Sequence, residues 1–222
     1  MRGHFITFEG GEGSGKSTHA ATLAQRLKEA GIDIVLTREP GGSPGAEIIR
    51  HIILSGIAKP LGAETETILF AAARDDHVRS TIVPALQAGR WVICDRFIDS
   101  TRVYQGILGK VDGKLIRGLE RVTVGAAMPE LTFILDVPAT IGLARAKSRR
   151  GAGVADRFEE ESVEYHEHLR QAFLALAKLE SKRCIVVDGR APRDVVADRI
   201  WAAVSERLLG TPVARAVESA AP

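Results

Sequence analysis

Five short apolar segments alternate along the chain with longer segments of helical spacing. Each short segment is almost continuously apolar, which is typical of strands covered on both faces in a parallel sheet. The longer segments carry apolar residues at i, i+3 and i+4 and often end at glycine, which predicts helices. The strand segments are HFITFE, IDIVLTRE, RWVICDR, LTFILDV and RCIVVDG, and the helical segments are GKSTHAATLAQRLKEAG, GAEIIRHIILSG, AETETILFAAARDDHVRSTIVPALQAG and EYHEHLRQAFLALAKLESK. We therefore expect an α/β fold with a five-stranded parallel sheet and helices on both faces.

No internal repeat or low-complexity linker divides the 222 residues. Because α/β domains of this length often stay single, we expect one domain over residues 1–209. The last stretch, GTPVARAVESAAP, is small, contains proline and has no periodicity. This composition predicts a disordered tail over residues 210–222.

The composition argues against several classes of partner. Lys and Arg number 30 against 28 Asp and Glu, a surplus too small to indicate a nucleic-acid or membrane surface. No apolar stretch approaches the ~18 residues of a membrane span, and the start lacks a signal-peptide core. Cys94 and Cys184 each lie in an apolar segment, which predicts buried, reduced thiols in a cytoplasmic protein. A disulfide between two strands is the alternative.

The stretch FEGGEGSGKST fits the pattern G-x-x-x-x-G-K-[ST] between a predicted strand and a predicted helix. Such glycines let consecutive backbone N–H groups surround phosphate oxygens, and the helix adds its positive end. Lys16 can then reach the β- and γ-phosphates, and Ser17 can ligate Mg²⁺. The loop predicts a nucleoside triphosphate ligand but leaves a GTPase switch, an ATP-driven motor and a small-molecule kinase open. The predicted nucleotide-binding residues are Gly10, Gly11, Glu12, Gly13, Ser14, Gly15, Lys16, Ser17 and Thr18.

Three predicted strands end in aspartate, at Asp95, Asp136 and Asp188. Ligands of doubly wound sheets gather at these carboxyl ends. Arg96 follows Asp95, and with a P-loop upstream we interpret Arg96 as bridging two phosphates and Asp95 as lying near Mg²⁺ or its bound waters. The alternative is a local surface ion pair. On periodicity alone Asp136 is as good a metal ligand as Asp95, whereas we interpret Asp188 as structural.

Three later segments, TREPGG, DRFIDSTRVYQG and RRGAGVADRFE, accompany the loop in order along the chain. Together they closely resemble the thymidylate kinase family of the bacterial type, from about Phe5 to near Leu209. The resemblance implies a P-loop nucleoside-monophosphate kinase fold, a homodimer, and phosphorylation of dTMP to dTDP with ATP and Mg²⁺, in dTTP synthesis. It also favours Asp95 over Asp136 beside the metal.

The reaction that the resemblance implies needs no general base. A phosphate monoester has a second pKa near 6, so the acceptor is already an anion at neutral pH. The obstacle is the charge of two polyanions and of the transferred group, which calls for lysine, arginine and Mg²⁺. The predicted catalytic residues are Lys16, Asp95, Arg96, Arg149 and Arg157, and the predicted metal ligands are Ser17 and Asp95.

The resemblance also implies where dTMP binds. Phe70 would stack on thymine and Arg74, four residues later on the same helix face, would bind a base carbonyl. Arg50 matches a further substrate-binding arginine. The Glu39–Pro40 pair at a strand end is a turn that would aim Glu39 at the site if the bond were cis, although the sequence leaves the isomer open.

The DSTRVYQG segment, interpreted as a turn, supplies the remaining substrate contacts. By resemblance Ser100, Thr101 and Gln105 address the base, and Tyr104 closes the space beside C2′ of the ribose. Helix capping by Asp99 or Ser100 is an alternative, or an additional, role. Two departures from the family pattern occur here, since Phe97 stands in place of the usual Tyr and Val103 in place of a commoner Ala.

Cations and glycines after the fourth strand predict an arginine-rich lid over about residues 146–158 that closes over ATP. A solvated charged surface is the alternative. Glu12 and Gly13 stand where some family members carry an arginine, so a transition-state arginine is expected from the lid. Extra residues around GAG leave the register of the lid arginines open. The cations are Arg145, Lys147, Arg149, Arg150 and Arg157.

Two other functions compete with the thymidylate kinase interpretation. One is a kinase of another monophosphate, such as dUMP or dCMP. The other is a GTP-hydrolysing switch, which needs a guanine-reading N-K-x-D after a strand, and the sequence has none.

Overall fold

The computed structural model describes residues 2–150, 158 and 161–210, without the side chain of Arg150. These residues form a five-stranded, all-parallel sheet in the order β2-β3-β1-β4-β5. The strands are β1 (Phe5–Glu9), β2 (Ile34–Arg38), β3 (Trp91–Asp95), β4 (Leu131–Asp136) and β5 (Cys184–Asp188). The predicted α/β fold and its five strands are confirmed.

Helices cover both faces of this sheet. All four predicted helical segments are helical, whereas three helices rich in charged residues, at 113–123, 139–150 and 193–207, were not predicted. The helices are α1 (Lys16–Glu29), α2 (Pro44–Leu54), α3 (Gly62–His77), α4 (Val83–Gln87), α5 (Ile98–Thr101), α6 (Gly113–Thr123), α7 (Ala139–Arg150), α8 (Val163–Leu179) and α9 (Arg193–Arg207).

The third predicted helix, over 63–89, is interrupted by a π-helical turn at Val78–Ile82. The turn ends just before Pro84, which has no N–H to donate and therefore cannot continue the α-helical ladder. The chain continues directly into α4, so residues 62–87 form one continuous helical stretch.

The segment that follows β3 is helical, which corrects the prediction of a turn. α5 continues into a π-helical turn at Arg102–Leu108. The reason is burial, because Ile98 and Val103 enter the core and need a regular backbone whose polar groups are paired. The capping alternative is also wrong, since Phe97 occupies the N-cap position without a side-chain cap and the Asp99 carboxylate instead binds Arg183 at 2.7 Å.

The two faces of the sheet have separate apolar cores. On one face Ile6 and Phe8 of β1 pack with Leu23 of α1 and Ile200 of α9. On the other face the buried residues come from the helices at 78–87, from α5 with its π-helical turn, and from α8. Because β1 lies between β3 and β4, its carboxyl end stands at the centre of the sheet edge where ligands bind in such folds.

The predicted lid and tail fall largely outside the described residues. Residues 146–150 belong to α7, Phe158 is described, and 151–157 with 159–160 are not. Of the tail, only Gly210 is described, so the division into a domain over 1–209 and a tail stays a prediction. Within the described ranges, no helix combines the length and apolar character needed to cross a membrane.

Candidate active site

The loop between β1 and α1 has the backbone of a phosphate cradle. Gly13 and Gly15 have φ of 65° and 96°, in the left-handed region that favours glycine. A Cβ on Gly13 would lie 1.9 Å from the carbonyl oxygen of Gly142, so α7 packs directly on the loop. α1 begins at Lys16, whose Nζ donates to the Gly11 carbonyl at 2.7 Å. The helix N-terminus and the loop amides can thus hold an anion together.

One carboxylate at the sheet edge is left available for a cation. The Ser17 hydroxyl donates to Oδ2 of Asp95, whereas Oδ1 of Asp95 is buried and has no hydrogen-bond partner within the described part of the chain. A hydroxyl and a carboxylate oxygen are the ligand types that Mg²⁺ prefers. The pair therefore fits the metal that the sequence predicts.

The other two strand-end aspartates already have arginine partners. Asp136 receives Arg170 Nε at 2.5 Å and Nη2 at 3.1 Å in a bidentate pair. Asp188 receives Arg190 in the same way, at 2.9 and 2.8 Å. These partners make Asp136 a poorer metal ligand than Asp95, a distinction that periodicity alone did not draw.

Arg96 connects the P-loop to α5. Its backbone has φ 69°, an uncommon conformation for a residue with a side chain. Its guanidinium donates to the Gly10 carbonyl at 3.2 Å and to the Ser100 hydroxyl at 3.3 Å, and it lies over the Tyr104 ring with the Arg96 Cζ 5.3 Å from the ring centroid. The alternative of a surface pair with Asp95 is not what the structure has, because the partner of Arg96 is the P-loop carboxylate Glu12.

Glu12 is a partly buried acid of the P-loop that lines the cleft. Besides the ion pair with Arg96, it accepts a hydrogen bond from the Tyr104 hydroxyl at 3.2 Å. Burial would raise the pKa of Glu12, but Arg96 and Lys16 outweigh burial and lower the pKa to about 2. Glu12 is therefore ionised near neutral pH, and it contacts both Arg96 and Tyr104.

A buried polar cluster lies beside β2 and α3. Arg74 Nε donates to Glu39 Oε2 at 2.8 Å and its Nη2 donates to the Phe97 carbonyl at 3.3 Å. His77 Nδ1 lies 3.1 Å from Glu39 Oε1. The Arg74 guanidinium also stacks on the Phe97 ring, with Cζ 5.3 Å from the ring centroid. Arg74 is thus fixed by its neighbours before any ligand arrives.

The Glu39–Pro40 peptide bond is cis, the isomer that the sequence left open. The Pro40 carbonyl accepts a hydrogen bond from Arg50 of α2. Phe70, one turn before Arg74 on α3, is partly exposed. The three side chains of Arg50, Phe70 and Arg74 all reach the same cleft.

α5 and the π-helical turn supply the opposite wall. The Thr101 hydroxyl is buried without a hydrogen-bond partner within the described ranges, and Gln105 Nε2 donates to Glu66 at 3.4 Å. The Tyr104 ring contacts Phe158 edge-on at 5.4 Å between centroids. This wall combines an aromatic ring with side chains that can form hydrogen bonds, which suits a heterocyclic ligand.

Most of these groups border one continuous cleft, whereas His77, Asp136 and Asp188 are not among its lining residues. It contains every predicted substrate residue and most of the predicted nucleotide-binding residues. Its lining residues are Glu12, Gly13, Gly15, Lys16, Ser17, Thr18, Arg38, Glu39, Pro40, Arg50, Leu54, Phe70, Arg74, Asp95, Arg96, Phe97, Ser100, Thr101, Tyr104, Gln105, Arg149 and Phe158.

Known proteins resemble this chain over nearly its whole length. The family model described as thymidylate kinase matches residues 8–200. The chain belongs to the thymidylate kinase family. It is 58% identical over 207 residues to a thymidylate kinase of Bradyrhizobium sp. (strain ORS 278), covering 93% of this chain and 92% of the relative. It is 59% identical over 209 residues to that of Nitrobacter winogradskyi, covering 94% and 91%.

A solved structure supports the same assignment. The crystal structure of thymidylate kinase from Ehrlichia chaffeensis superposes with a TM-score of 0.73 at 33% identity, covering 92% of this chain and 99% of that one. The family resemblance and the P-loop fold are therefore confirmed.

Within this thymidylate kinase fold, the site residues predicted from the sequence come together, although their roles stay predictions. Gly10, Gly11 and Ser14 belong to the P-loop but are not among the residues that line the cleft. Arg149 of α7 lines the cleft, whereas Arg157 and the side chain of Arg150 lie outside the described residues. The register of the lid arginines thus stays open.

Six residues in or beside the cleft were not predicted from the sequence as site residues. Four of them line the cleft and two are buried next to it. Leu54 and Phe158 carry no motif signal, and Phe97 was noted only as a departure from the family. The TREPGG segment contains Arg38, whose position at the end of β2 was the available signal. The missed residues are Glu9, Arg38, Leu54, His77, Phe97 and Phe158.

Proposed function

We propose that this chain transfers the γ-phosphoryl group of ATP to dTMP, forming ADP and dTDP for dTTP synthesis, with Mg²⁺ as cofactor. Membership of the thymidylate kinase family supports this reaction. The observation that carries it is the single cleft in which P-loop residue Lys16 and the aromatic Phe70 face the same space. Arg96, which contacts both the P-loop and α5, lies between the two groups of lining residues.

The phosphate of dTMP is its own nucleophile. Its second pKa is about 6, so near neutral pH an ionised oxygen attacks the γ-phosphorus without a general base. The chain then has to orient two phosphates in line and neutralise their charge. Arg96 is suited to bridging them because a planar guanidinium can donate to two oxygens at once.

Lys16, Ser17 and Asp95 act on the side of the triphosphate. Lys16 donates to the phosphate oxygens in exchange for its contact with the Gly11 carbonyl. Ser17 and Asp95 would hold Mg²⁺, which supplies positive charge to the phosphate oxygens when bound. The partnerless Oδ1 of Asp95 supports this assignment, because a buried carboxylate oxygen costs free energy unless it finds a ligand.

Phe70 and Arg74 recognise the base, and Tyr104 recognises the sugar. An aromatic face suits stacking on thymine, and an arginine held by Glu39 offers a fixed donor to a base carbonyl. Ser100, Thr101 and Gln105 of the opposite wall are proposed to contact the base, and the Tyr104 ring takes the place that a ribose 2′-hydroxyl needs. Glu39, Pro40 and Arg50 complete the substrate site.

We also propose that the lid provides the arginine that stabilises the transferred phosphoryl group. The P-loop places Glu12, not an arginine, beside Arg96, and Glu12 offsets the Arg96 charge. Arg149, at the end of α7 and in the cleft lining, is the candidate among the described residues. Arg157 is the second candidate, on sequence grounds alone.

A homodimer is proposed through the face formed by α2, α3 and α6, which pack side by side. Three isoleucine or valine side chains on these helices are exposed, namely Ile48 at 67%, Ile68 at 48% and Val122 at 69%. Exposed apolar side chains on adjacent elements are typical of subunit interfaces. Sedimentation equilibrium checks this proposal, and Ile48→Glu with Ile68→Glu is expected to give a monomer.

A cytoplasmic location is proposed on the state of the cysteines. Cys94 and Cys184 are both free and buried, and burial raises the pKa of each thiol. Such thiols need no oxidising compartment to fold. The disulfide alternative is not what the structure has.

The deciding experiment measures the phosphoryl acceptor. Purified protein is given ATP and Mg²⁺ with dTMP, dUMP, dCMP or no acceptor, and ADP release is followed by a coupled assay. We expect fast release with dTMP alone, loss of it in Lys16→Ala, and little release without acceptor. Faster ADP release with dUMP or dCMP than with dTMP would show that the substrate is that monophosphate. ADP release without any acceptor would instead support a nucleotide-hydrolysing switch.

A further inference from the structure

Glu9, the last residue of β1, carries a carboxylate that no part of the proposed reaction uses. The residue is fully buried and does not line the cleft. Its Oε1 accepts hydrogen bonds from the backbone N–H of Phe97 at 2.8 Å and of Ser100 at 3.3 Å. Its Oε2 accepts from the Ser100 hydroxyl at 2.7 Å. All three donors belong to the short segment that follows Arg96.

These hydrogen bonds fix the backbone directly after Arg96, whose own backbone conformation is strained. Arg96 adopts φ 69°, in the left-handed region that is strained for a residue with a side chain. The N–H of Arg96 donates to the Phe8 carbonyl at 2.9 Å, and the next N–H, that of Phe97, donates to the Glu9 side chain. Consecutive residues of β1 therefore fix the backbone on both sides of Arg96.

The ionised carboxylate also sets the direction of a hydrogen-bond chain. The Ser100 hydroxyl has one hydrogen, which it donates to Glu9, so its lone pairs face the Arg96 guanidinium at 3.3 Å. A guanidinium only donates and an ionised carboxylate only accepts. An amide or a protonated acid in place of the carboxylate can donate to the hydroxyl instead, which removes the preference for this direction.

We propose that Glu9 is a positioning residue for the phosphoryl transfer, because its buried carboxylate holds Arg96 against the P-loop through the Phe97 amide and the Ser100 hydroxyl. The inference rests on the proposed function. It adds Glu9, which would contact neither ATP nor dTMP and would act through Arg96, which is proposed to contact the phosphates of both.

The buried environment of Glu9 disfavours the ionised form of its carboxylate. Burial and the neighbouring Asp99 raise the pKa of Glu9, whereas Ser100, Arg96 and Phe97 lower it by a smaller amount. A residue with only a structural role would be better served by an uncharged amide of the same shape. The positioning role therefore predicts opposite effects of Glu9→Gln on activity and on stability.

The test compares Glu9→Gln with the wild-type chain and with Thr7→Val. Thr7 lies two residues earlier on β1 and is also buried, and its hydroxyl is 2.7 Å from that of Thr132 on β4. In Glu9→Gln we expect kcat to fall by at least about tenfold, because small displacements of a positioned group are that costly. The KM for dTMP should change little and the melting temperature at pH 8 should not fall. Thr7→Val should lose melting temperature while keeping kcat.

A double-mutant cycle with Arg96→Ala tests whether Glu9 acts through Arg96. Once Arg96 is absent, Glu9→Gln should lower kcat by less than about threefold. A full additional loss in that background overturns the inference, and so does a kcat within about threefold of wild type in the single variant. If Glu9→Gln does not fold, Ser100→Ala carries the test, and an unchanged kcat there overturns the inference.

Failure of the proposed function is separable from failure of this inference. A wild-type chain that forms no dTDP overturns the proposed function alone. The crystal structure of Glu9→Gln then decides the positioning role, since an Arg96 side chain still in contact with Gly10 and Ser100 overturns it and a displaced one supports it.

Discussion

Arg74 and Glu39 form an ion pair of 2.8 Å in which the two side chains are only 3% and 5% exposed. Glu39→Gln removes the only carboxylate that faces Arg74 at hydrogen-bond distance among the described residues. Breaking one side of a buried pair typically costs about 3–5 kcal/mol, because a charge is left unpaired. We expect a loss of that order in the free energy of unfolding, measured by urea denaturation, together with a higher KM for dTMP.

The matched control is the exposed pair of Arg79 and Asp75, in which the arginine side chain is 71% exposed. Arg79→Ala should cost less than about 1 kcal/mol, since water screens such a pair. Equal losses in Glu39→Gln and Arg79→Ala would show that burial of the Arg74 pair has no special weight.

Asp95→Asn is predicted to weaken Mg²⁺ binding without loss of the fold. The variant keeps the shape of the side chain but removes the charge next to Ser17. We expect the free Mg²⁺ concentration for half-maximal rate to rise by about 10- to 100-fold, on the scale of lost metal-site contacts. Initial rates measured against free Mg²⁺ at saturating dTMP check this.

Asp136→Asn is the control for the metal site, because its carboxylate is held by Arg170. This variant should lose stability and keep its Mg²⁺ dependence. A shift of the Mg²⁺ requirement in Asp136→Asn, with none in Asp95→Asn, would move the metal to the other strand.

The lid arginines are predicted to act on kcat. At least one of Arg149→Ala, Arg150→Ala and Arg157→Ala should lower kcat by about 10³ to 10⁵, as arginines do in related phosphoryl transfers. The KM for dTMP, which we propose is set by Phe70 and Arg74, should change little. Steady-state kinetics check this prediction, and Lys147→Ala serves as a neighbouring exposed control. If all three arginine variants keep kcat within about tenfold of wild type, the charge of the transferred phosphoryl group is neutralised by Arg96, Lys16 and Mg²⁺ instead.

Tyr104 is predicted to exclude ribonucleotides by the bulk of its ring. Tyr104→Ala should narrow the ratio of kcat/KM between dTMP and its ribose counterpart. Tyr104→Phe keeps the ring and removes only the hydroxyl bond to Glu12, so it should keep most of that ratio. A ratio that changes equally in both variants would assign the selectivity to the hydroxyl.

The pH dependence of stability is predicted to carry the signature of Glu9. Burial, followed by Asp99, raises the pKa of Glu9 from its ordinary 4.5 to about 7 in the folded protein. The folded state therefore binds the proton more tightly than the unfolded state, and this contribution is fully present below pH 4.5 and is lost as the pH rises through 7. Relative to wild type, Glu9→Gln should thus gain about 3 kcal/mol between pH 4.5 and 8.

Urea denaturation of both chains at several pH values in this range measures the gain. Thr7→Val serves as the parallel control and should shift stability by the same amount at every pH. A difference between Glu9→Gln and wild type that does not change with pH would show that Glu9 titrates normally.

The amino-acid sequence by itself determined the five strands, four of the helical segments and the presence of a P-loop motif. Strands such as LTFILDV are apolar on both faces, and only a sheet covered by helices on both sides buries them. The eight residues from Gly10 to Ser17 carry the glycines, the lysine and the hydroxyls of the motif within one local stretch, so the motif is recognisable without knowledge of its distant partners. The motifs of the thymidylate kinase family are local in the same sense, which is why they were recognisable before the fold was known.

Only the tertiary structure decided which of several equivalent side chains is available. Asp95, Asp136 and Asp188 each end a strand in the sequence. In the structure Arg170 pairs with Asp136 and Arg190 pairs with Asp188, which leaves Asp95 available for a cation. The segment at 98–108 is helical because its apolar residues meet a core contributed by α8, far along the chain. Glu9 meets Ser100 across 91 residues, and such pairings arise from the packing of β1 between β3 and β4, which no local pattern encodes.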